Sequence, residues 1–174
     1  MLLVRIVLPD SIKNKPKMKI ILKYIFLFFL ISILFYSCDS KRYYEKNKEI
    51  NDGLWNNKDV IRFEVPITDT TNPYNFIINI RSKTTYPYCN LFLFMNTVYP
   101  DRKASRDTME ILLANSKGKW LGDGSGDIRL NRVMLKRKMV FPKTGLYSFE
   151  FQQSMRVDVL DGIIDFGIRI EKSE

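Results

Sequence analysis

Histidine is absent from all 174 residues, and that absence excludes more chemistry than any motif in the chain adds. Without an imidazole there is no Ser-His-Asp or Cys-His nucleophilic arrangement, and the commonest general base is missing. Cysteine is nearly as scarce, with Cys38 and Cys89 as the two in the chain. Together these shortages remove most transition-metal sites, which are built from His and Cys. Long apolar runs are missing too. The run from Tyr24 to Phe35 is twelve residues, broken only by Ser32, whereas a membrane-spanning helix needs about 20.

That short run has a different use. Met18-Lys19-Ile20-Ile21-Leu22-Lys23 is a basic start, and a basic start followed by an apolar stretch of about 7–15 residues is the pattern of a secretory signal. Phe35-Tyr36-Ser37-Cys38 closes it with a small residue before a cysteine, and resembles the lipobox of bacterial lipoproteins. The resemblance implies that the Cys38 thiol takes a diacylglyceryl group, that the chain is cut before it, and that the new N-terminus is acylated. More than one chain is needed for stable anchoring, since a single acyl chain binds only marginally. The lipobox therefore predicts a signal peptide over 18–37. Residues 1–17, with Pro9, Asp10 and Pro16, fit no signal and are expected to be a mis-assigned upstream extension, with translation starting at Met18.

Cleavage changes the charge argument. The formal net charge is +9, from 28 Lys/Arg and 19 Asp/Glu. Residues 1–37 carry six of those basic residues and one of the acidic ones, so the 137 residues left hold 22 against 18, a net +4. A sequence pI near 9.5 invites a nucleic-acid reading; most of that excess leaves with the signal, and no nucleic-acid partner is expected. The remaining length suits one domain and buries enough surface for a proper core. With Cys38 lipidated, Cys89 has no partner for an intrachain disulfide, so packing must hold the fold.

Residues 38–58 are polar and charged and read as a lipidated N-terminus and tether, with fixed structure near Leu54 and Trp55. From residue 59 to 174 the pattern is period two. Ile61, Phe63 and Val65 share one face, as do Phe76, Ile78 and Ile80, then Tyr147, Phe149 and Phe151, then Ile164, Phe166, Ile168 and Ile170. Such alternation marks half-buried antiparallel strands. Further strands are predicted at Asn90–Tyr99, Thr108–Leu113 and Val133–Phe141, the first apolar on both faces and so central and doubly covered. Turn signals such as Thr71-Asn72-Pro73, Tyr99-Pro100-Asp101 and Pro142-Lys143-Thr144-Gly145 separate them. Seven or eight short strands predict an all-β protein, a single antiparallel β-sandwich of jelly-roll or immunoglobulin-like topology.

Lys119-Trp120-Leu121-Gly122-Asp123-Gly124-Ser125-Gly126-Asp127 is the most distinctive segment. No Lys-Ser/Thr pair and no helix follow it, so a phosphate loop is excluded. Asp123, Ser125 and Asp127 alternate as calcium ligands do, but the following acidic ligand is missing. A sharp loop with positive-φ glycines or a partner-contact loop built on Trp120, Asp123, Ser125 and Asp127 fits better. No metal, cofactor or catalytic residue is expected. Glu150, Asp158, Asp161 and Asp165 are the carboxylates from which a glycoside-hydrolase pair would have to come, with a solvated face as the simpler use. The run Lys136-Arg137-Lys138 reads as a solvated strand end, and Cys89 as a buried small hydrophobe. Asp69-Thr70-Thr71 and Asp107-Thr108-Met109 resemble the Asp-Ser/Thr-apolar sequon for O-glycosylation in Bacteroidota, with Thr70, in a loop, the better acceptor.

Several blocks, in order, are similar to one family. Tyr86-Pro87-Tyr88-Cys89-Asn90-Leu91-Phe92-Leu93-Phe94, Arg106-Asp107-Thr108, Gly118-Lys119-Trp120-Leu121-Gly122, Phe141-Pro142-Lys143-Thr144-Gly145-Leu146-Tyr147 and Gln153-Ser154-Met155-Arg156 through Ile170 resemble the GldH gliding-motility lipoproteins of Bacteroidota. The likeness covers nearly all of the chain after Cys38. It implies a non-catalytic envelope lipoprotein needed for gliding and linked to the type IX secretion machinery, with the membrane and other gliding lipoproteins as partners. Asp39-Ser40-Lys41-Arg42 lacks the acidic run of surface-exported lipoproteins, which points to the periplasmic side. The competing expectation is a glycan-binding or glycan-processing sandwich, for which Trp120, Tyr86 and Tyr88 would supply stacking rings.

Overall fold

Ile61-Arg62-Phe63-Glu64-Val65-Pro66-Ile67 carries the clearest alternation in the chain. In the computed structural model, which describes residues 21–27 and 39–173, it is a strand in which every odd position is buried and every even one exposed. Ten strands are present among the described residues: β1 (Arg42–Glu49), β2 (Leu54–Asn56), β3 (Ile61–Ile67), β4 (Tyr74–Lys83), β5 (Asn90–Val98), β6 (Ala104–Leu112), β7 (Ile128–Met139), β8 (Gly145–Gln153), β9 (Val159–Asp161) and β10 (Ile163–Lys172). Residues 21–27 are helical. No helix among the described residues is long and apolar enough to cross a membrane. Cys38, and with it the expected cleavage site, lies outside the described residues.

Two four-stranded antiparallel sheets are formed, in the orders β1-β10-β4-β7 and β3-β8-β5-β6, and β2 and β9 make a small ribbon. With the ribbon set aside and the other eight strands counted along the chain, the sheets read 1-8-3-6 and 2-7-4-5. The chain changes sheet at every step except the β5–β6 hairpin. That is the double Greek key of a jelly roll, and it settles the topology that spacing alone left open.

The inner faces meet in an aromatic core. Phe166 on β10 is fully buried, with its ring 4.8 Å from Phe151 on β8, 5.5 Å from Trp55 on β2 and 6.3 Å from Phe63 on β3. Phe76 on β4 meets Phe149 on β8 edge to face at 4.9 Å. Full burial of one such ring stabilises by about 1.5–3 kcal/mol, and each ring pair adds about 0.5–1.5 kcal/mol. Pro66, which has no N–H, sits on β3 at a sheet edge where a missing donor is tolerated.

Three expectations change here. The stretch read as a tether over 38–58 contributes two strands: β1 pairs with β10 from Arg42↔Glu171 to Glu49↔Asp165, and Leu54–Asn56 pairs with β9. The polar sequence of β1 hid it, because β1 is an edge strand whose Tyr43 and Tyr44 alone pack on the core. Tyr43 Oη donates to Pro66 O at 2.7 Å and so ties β1 to the opposite sheet. The link between Cys38 and the folded unit, which begins at Lys41, is therefore only a few residues long.

β5 is central in its sheet but covered on one face only. Phe92 is 37 % exposed, and the Arg106 guanidinium lies over the Phe94 ring at 4.2 Å. The strand buried on both faces is β4, where Ile77 and Asn79 on the outer side are covered as well as Phe76, Ile78 and Ile80 on the inner. Ile164 leaves the expected alternation because a bulge between Ile163 and Asp165 turns Ile163 inward in its place. Gly167 is required by the neighbouring strand: a Cβ there would lie 2.8 Å from Lys46 O and would overlap the Asn47 side chain.

Candidate functional site

The loop between β6 and β7 is built by its own backbone. Ala114 and Trp120 form one isolated bridge and Asp123 and Leu130 another, so the segment folds across the side of the sandwich where β6 and β7 are the edge strands. Gly124 adopts φ +141°, and a Cβ there would stand 2.5 Å from Ile128 O; only glycine fits. The expected sharp loop is present. Trp120 packs half-buried against the core, while Asp123, Ser125 and Asp127 are exposed. Among the described residues no three Asp, Glu, Cys or His side chains converge as metal ligands.

Each of the four carboxylates has a polar partner of its own. Glu150 lies on the outer face of β8, 2.8 Å from the Arg62 guanidinium. Asp165 lies on the outer face of β10, 2.9 Å from Arg81, and these two faces are on opposite sides of the sandwich. Asp158 accepts from Asn57 Nδ2 at 2.9 Å, and Asp161 stands 3.5 Å from Lys83 Nζ. Cys89 is exposed rather than buried: the turn entering β5 uses its carbonyl, which accepts from the N–H groups of Leu113 and Ala114, and leaves its side chain outside. Thr70 is half-buried in the β3–β4 loop, beside Asp69, whose carboxylate accepts from Thr71 N and Oγ1 and is held well below the usual range by these bonds and one from Asn72. Tyr86 is buried, donates to Asn90 O at 2.9 Å and has its hydroxyl pushed up by burial; its ring meets Tyr88 edge to face at 5.6 Å. Tyr86 is thus used in packing, while Tyr88 is half-buried beside it.

Asp165 carries a testable pH dependence. It is 7 % exposed and its Oδ1 has no hydrogen-bond partner among the described residues. Burial raises its pKa, Arg81 opposes that, and Glu49 adds to it. The folded state therefore keeps this proton at pH values where the unfolded chain, with a carboxyl near 3.9, has lost it. Stability contributed at Asp165 falls as pH rises from about 4 through the folded pKa. Urea unfolding of Asp165→Asn and wild type at pH 4, 5.5 and 7 should show the difference moving in favour of the variant as pH rises; a flat or reversed difference contradicts the assignment.

Two surface features went unnoticed in the sequence. Leu112, Leu121 and Met134, 59, 56 and 38 % exposed, line one shallow depression beside Asp123. Toward the β7–β8 turn, a cavity of about 430 Å³ opens between β6 and β7, walled by Phe76, Met95, Met109, Met139, Phe141 and Tyr147. Here the inner face of β6 turns polar at Ser105 and Asp107, while β7 is bulged, with Lys138 at φ +50°.

Residues 42–170 match the sequence profile of the family described as GldH lipoprotein. The chain belongs to that family. The match starts on the first residue of β1, in agreement with a folded unit that includes the supposed tether. The chain is similar to the gliding motility lipoprotein GldH homolog of Christiangramia forsetii, 37 % identical over 157 residues that cover 86 % of this chain and 96 % of the relative. It is also similar to the gliding motility lipoprotein GldH of Flavobacterium johnsoniae, 34 % identical over 152 residues, 83 % of this chain and 94 % of the other. The hydrogen bonds of the C-terminal block give it a physical role. Gln153 is buried, its Nε2 donates to Val157 O at 3.0 Å and its Oε1 accepts from Met155 N at 2.8 Å, so it shapes the turn between β8 and β9.

Proposed function

We propose that the protein is a non-catalytic assembly or scaffold factor of the cell envelope, anchored through lipid on Cys38, facing the periplasm and acting in gliding motility with the type IX secretion machinery. The observation that carries the reading is the patch of Leu112, Leu121 and Met134, exposed apolar side chains grouped beside a rigid glycine-shaped loop. Contiguous exposed apolar surface rimmed by polar groups marks contact with another protein. The relatives' names supply the gliding context, and the separation of Glu150 from Asp165 supports a role without hydrolysis. Other envelope lipoproteins are the partners expected at the patch.

A photocrosslinking amino acid at Leu121, in the native host, tests this. Capture of an envelope protein at Leu121 but not at Lys48, together with loss of gliding or of secretion on deletion of the gene, is the expected result. Intact gliding and secretion in the deletion strain, with no captured protein, would sink the reading.

A further inference from the structure

We infer that one end of the sandwich is a lipid-facing surface that rests on anionic headgroups, an inference that takes Cys38 as the anchor. The end is defined by where the chain enters its fold. Lys41 O accepts from Lys172 N, and Ser173 N donates to Pro73 O, so the first and last strands and the β3–β4 loop meet there. Tyr74 pairs with both Lys172 and Met139, which brings the β7–β8 turn to the same end, and the β5–β6 turn at Asp101 joins it through Lys143 Nζ at 2.7 Å.

Charge is concentrated on this end. The segments 41–43, 68–74, 99–105, 136–144 and 171–173 hold nine Lys/Arg and three Asp/Glu, while the rest of residues 41–173 holds thirteen of each. The whole net charge of +6 of these described residues therefore sits at one end. All three acids are already engaged, Asp69 within its turn, Asp101 with Lys143 and Glu171 with Arg169. Val140 and Leu146, 53 and 54 % exposed, stand among these cations, the mixture of apolar and basic side chains that favours a headgroup layer.

The anchor fixes which way this end points. Two residues, Asp39 and Ser40, separate Cys38 from Lys41, and three steps of about 3.3–3.6 Å span about 10–11 Å at most. That is a little more than a Debye length of about 8 Å at physiological salt, so the chain's entry at Lys41 stands at the margin of the bilayer's field, and the other cations of this end enter that field when the end rests on the surface. Lys136 and Lys138, on the bulged end of β7, are then a contact with phosphate oxygens and not merely a solvated strand end.

The test uses the full lipidated protein, in a Cys89→Ser background, with an environment-sensitive fluorophore on Val140→Cys or, as the distal control, on Ser116→Cys. Each is reconstituted into vesicles of phosphatidylethanolamine with phosphatidylglycerol, and flotation confirms attachment. The Val140 label should gain intensity at least twofold and shift to the blue relative to detergent, the Ser116 label should not, and Lys136→Glu with Lys138→Glu should remove most of the gain while circular dichroism stays unchanged. A floating protein whose Val140 label remains aqueous, or whose two labels respond alike, overturns the inference. A protein that does not float overturns the anchor reading instead.

Discussion

Cys38→Ser is expected to move the protein from the membrane pellet to the soluble fraction and to abolish incorporation of labelled palmitate. The size of the effect follows from the anchor's physics. Each buried methylene contributes about 0.8 kcal/mol, and stable attachment takes more than one chain. The folded unit offers no substitute of that strength: its basic end interacts through a screened field and without inserted acyl chains. Gliding should be lost with the anchor if the protein works by where it is held. Persistence of palmitate on the variant would place the acyl group elsewhere, with exposed Cys89 the remaining thiol, and would remove the basis for reading residues 18–37 as a lipoprotein signal.

Phe166→Ala is expected to cost about 3–5 kcal/mol, the range for truncating a buried aromatic side chain. Against a total of about 5–15 kcal/mol for a typical domain, that loss brings the protein close to unfolding. Phe166 joins both sheets and the β2–β9 ribbon through Phe63, Phe151 and Trp55, so its removal leaves a cavity where three parts of the fold meet. Urea unfolding followed by tryptophan fluorescence in a Trp120→Phe background, which leaves Trp55, 5.5 Å from the ring, provides the measurement. Phe92→Ala on the uncovered face of β5 is the control and should cost less than about 1 kcal/mol. Equal losses at the two positions would mean that the sheets do not pack through Phe166.

The contrast between these two phenylalanines also shows how far the sequence could be read. Where one face of a strand is apolar and the other polar, as in Ile61–Ile67 or Tyr147–Phe151, alternation alone identified the strand and its inward side. Phe92 and Phe94 defeated that logic, because an arginine from the next strand shields a ring as well as a second layer of structure would. β1 defeated it from the other direction: Arg-Tyr-Tyr-Glu-Lys-Asn-Lys-Glu has no apolar face, and its place was set by pairing with β10 and by one tyrosine hydroxyl, neither of which has a sequence period. The loop from Lys119 to Asp127 was legible as a sharp, glycine-shaped element. Leu112 and Met134, which complete the exposed patch beside it, lie on the strands that flank the loop, but β6 and β7 belong to different sheets, and only the jelly-roll order brings them together at one side.

The placement of β1 has a mechanical meaning. With lipid on Cys38 as proposed, the strand leaves the anchored end and runs away from it, with seven residue pairs to β10 between Arg42 and Glu49. A pull between the lipid and a partner held at the far end acts along the strand, so it loads those pairs side by side, in shear. A pull at the other terminus of the strand would have peeled them one at a time. For a protein of a family named for movement over surfaces, the connection between anchor and fold is one that resists tension.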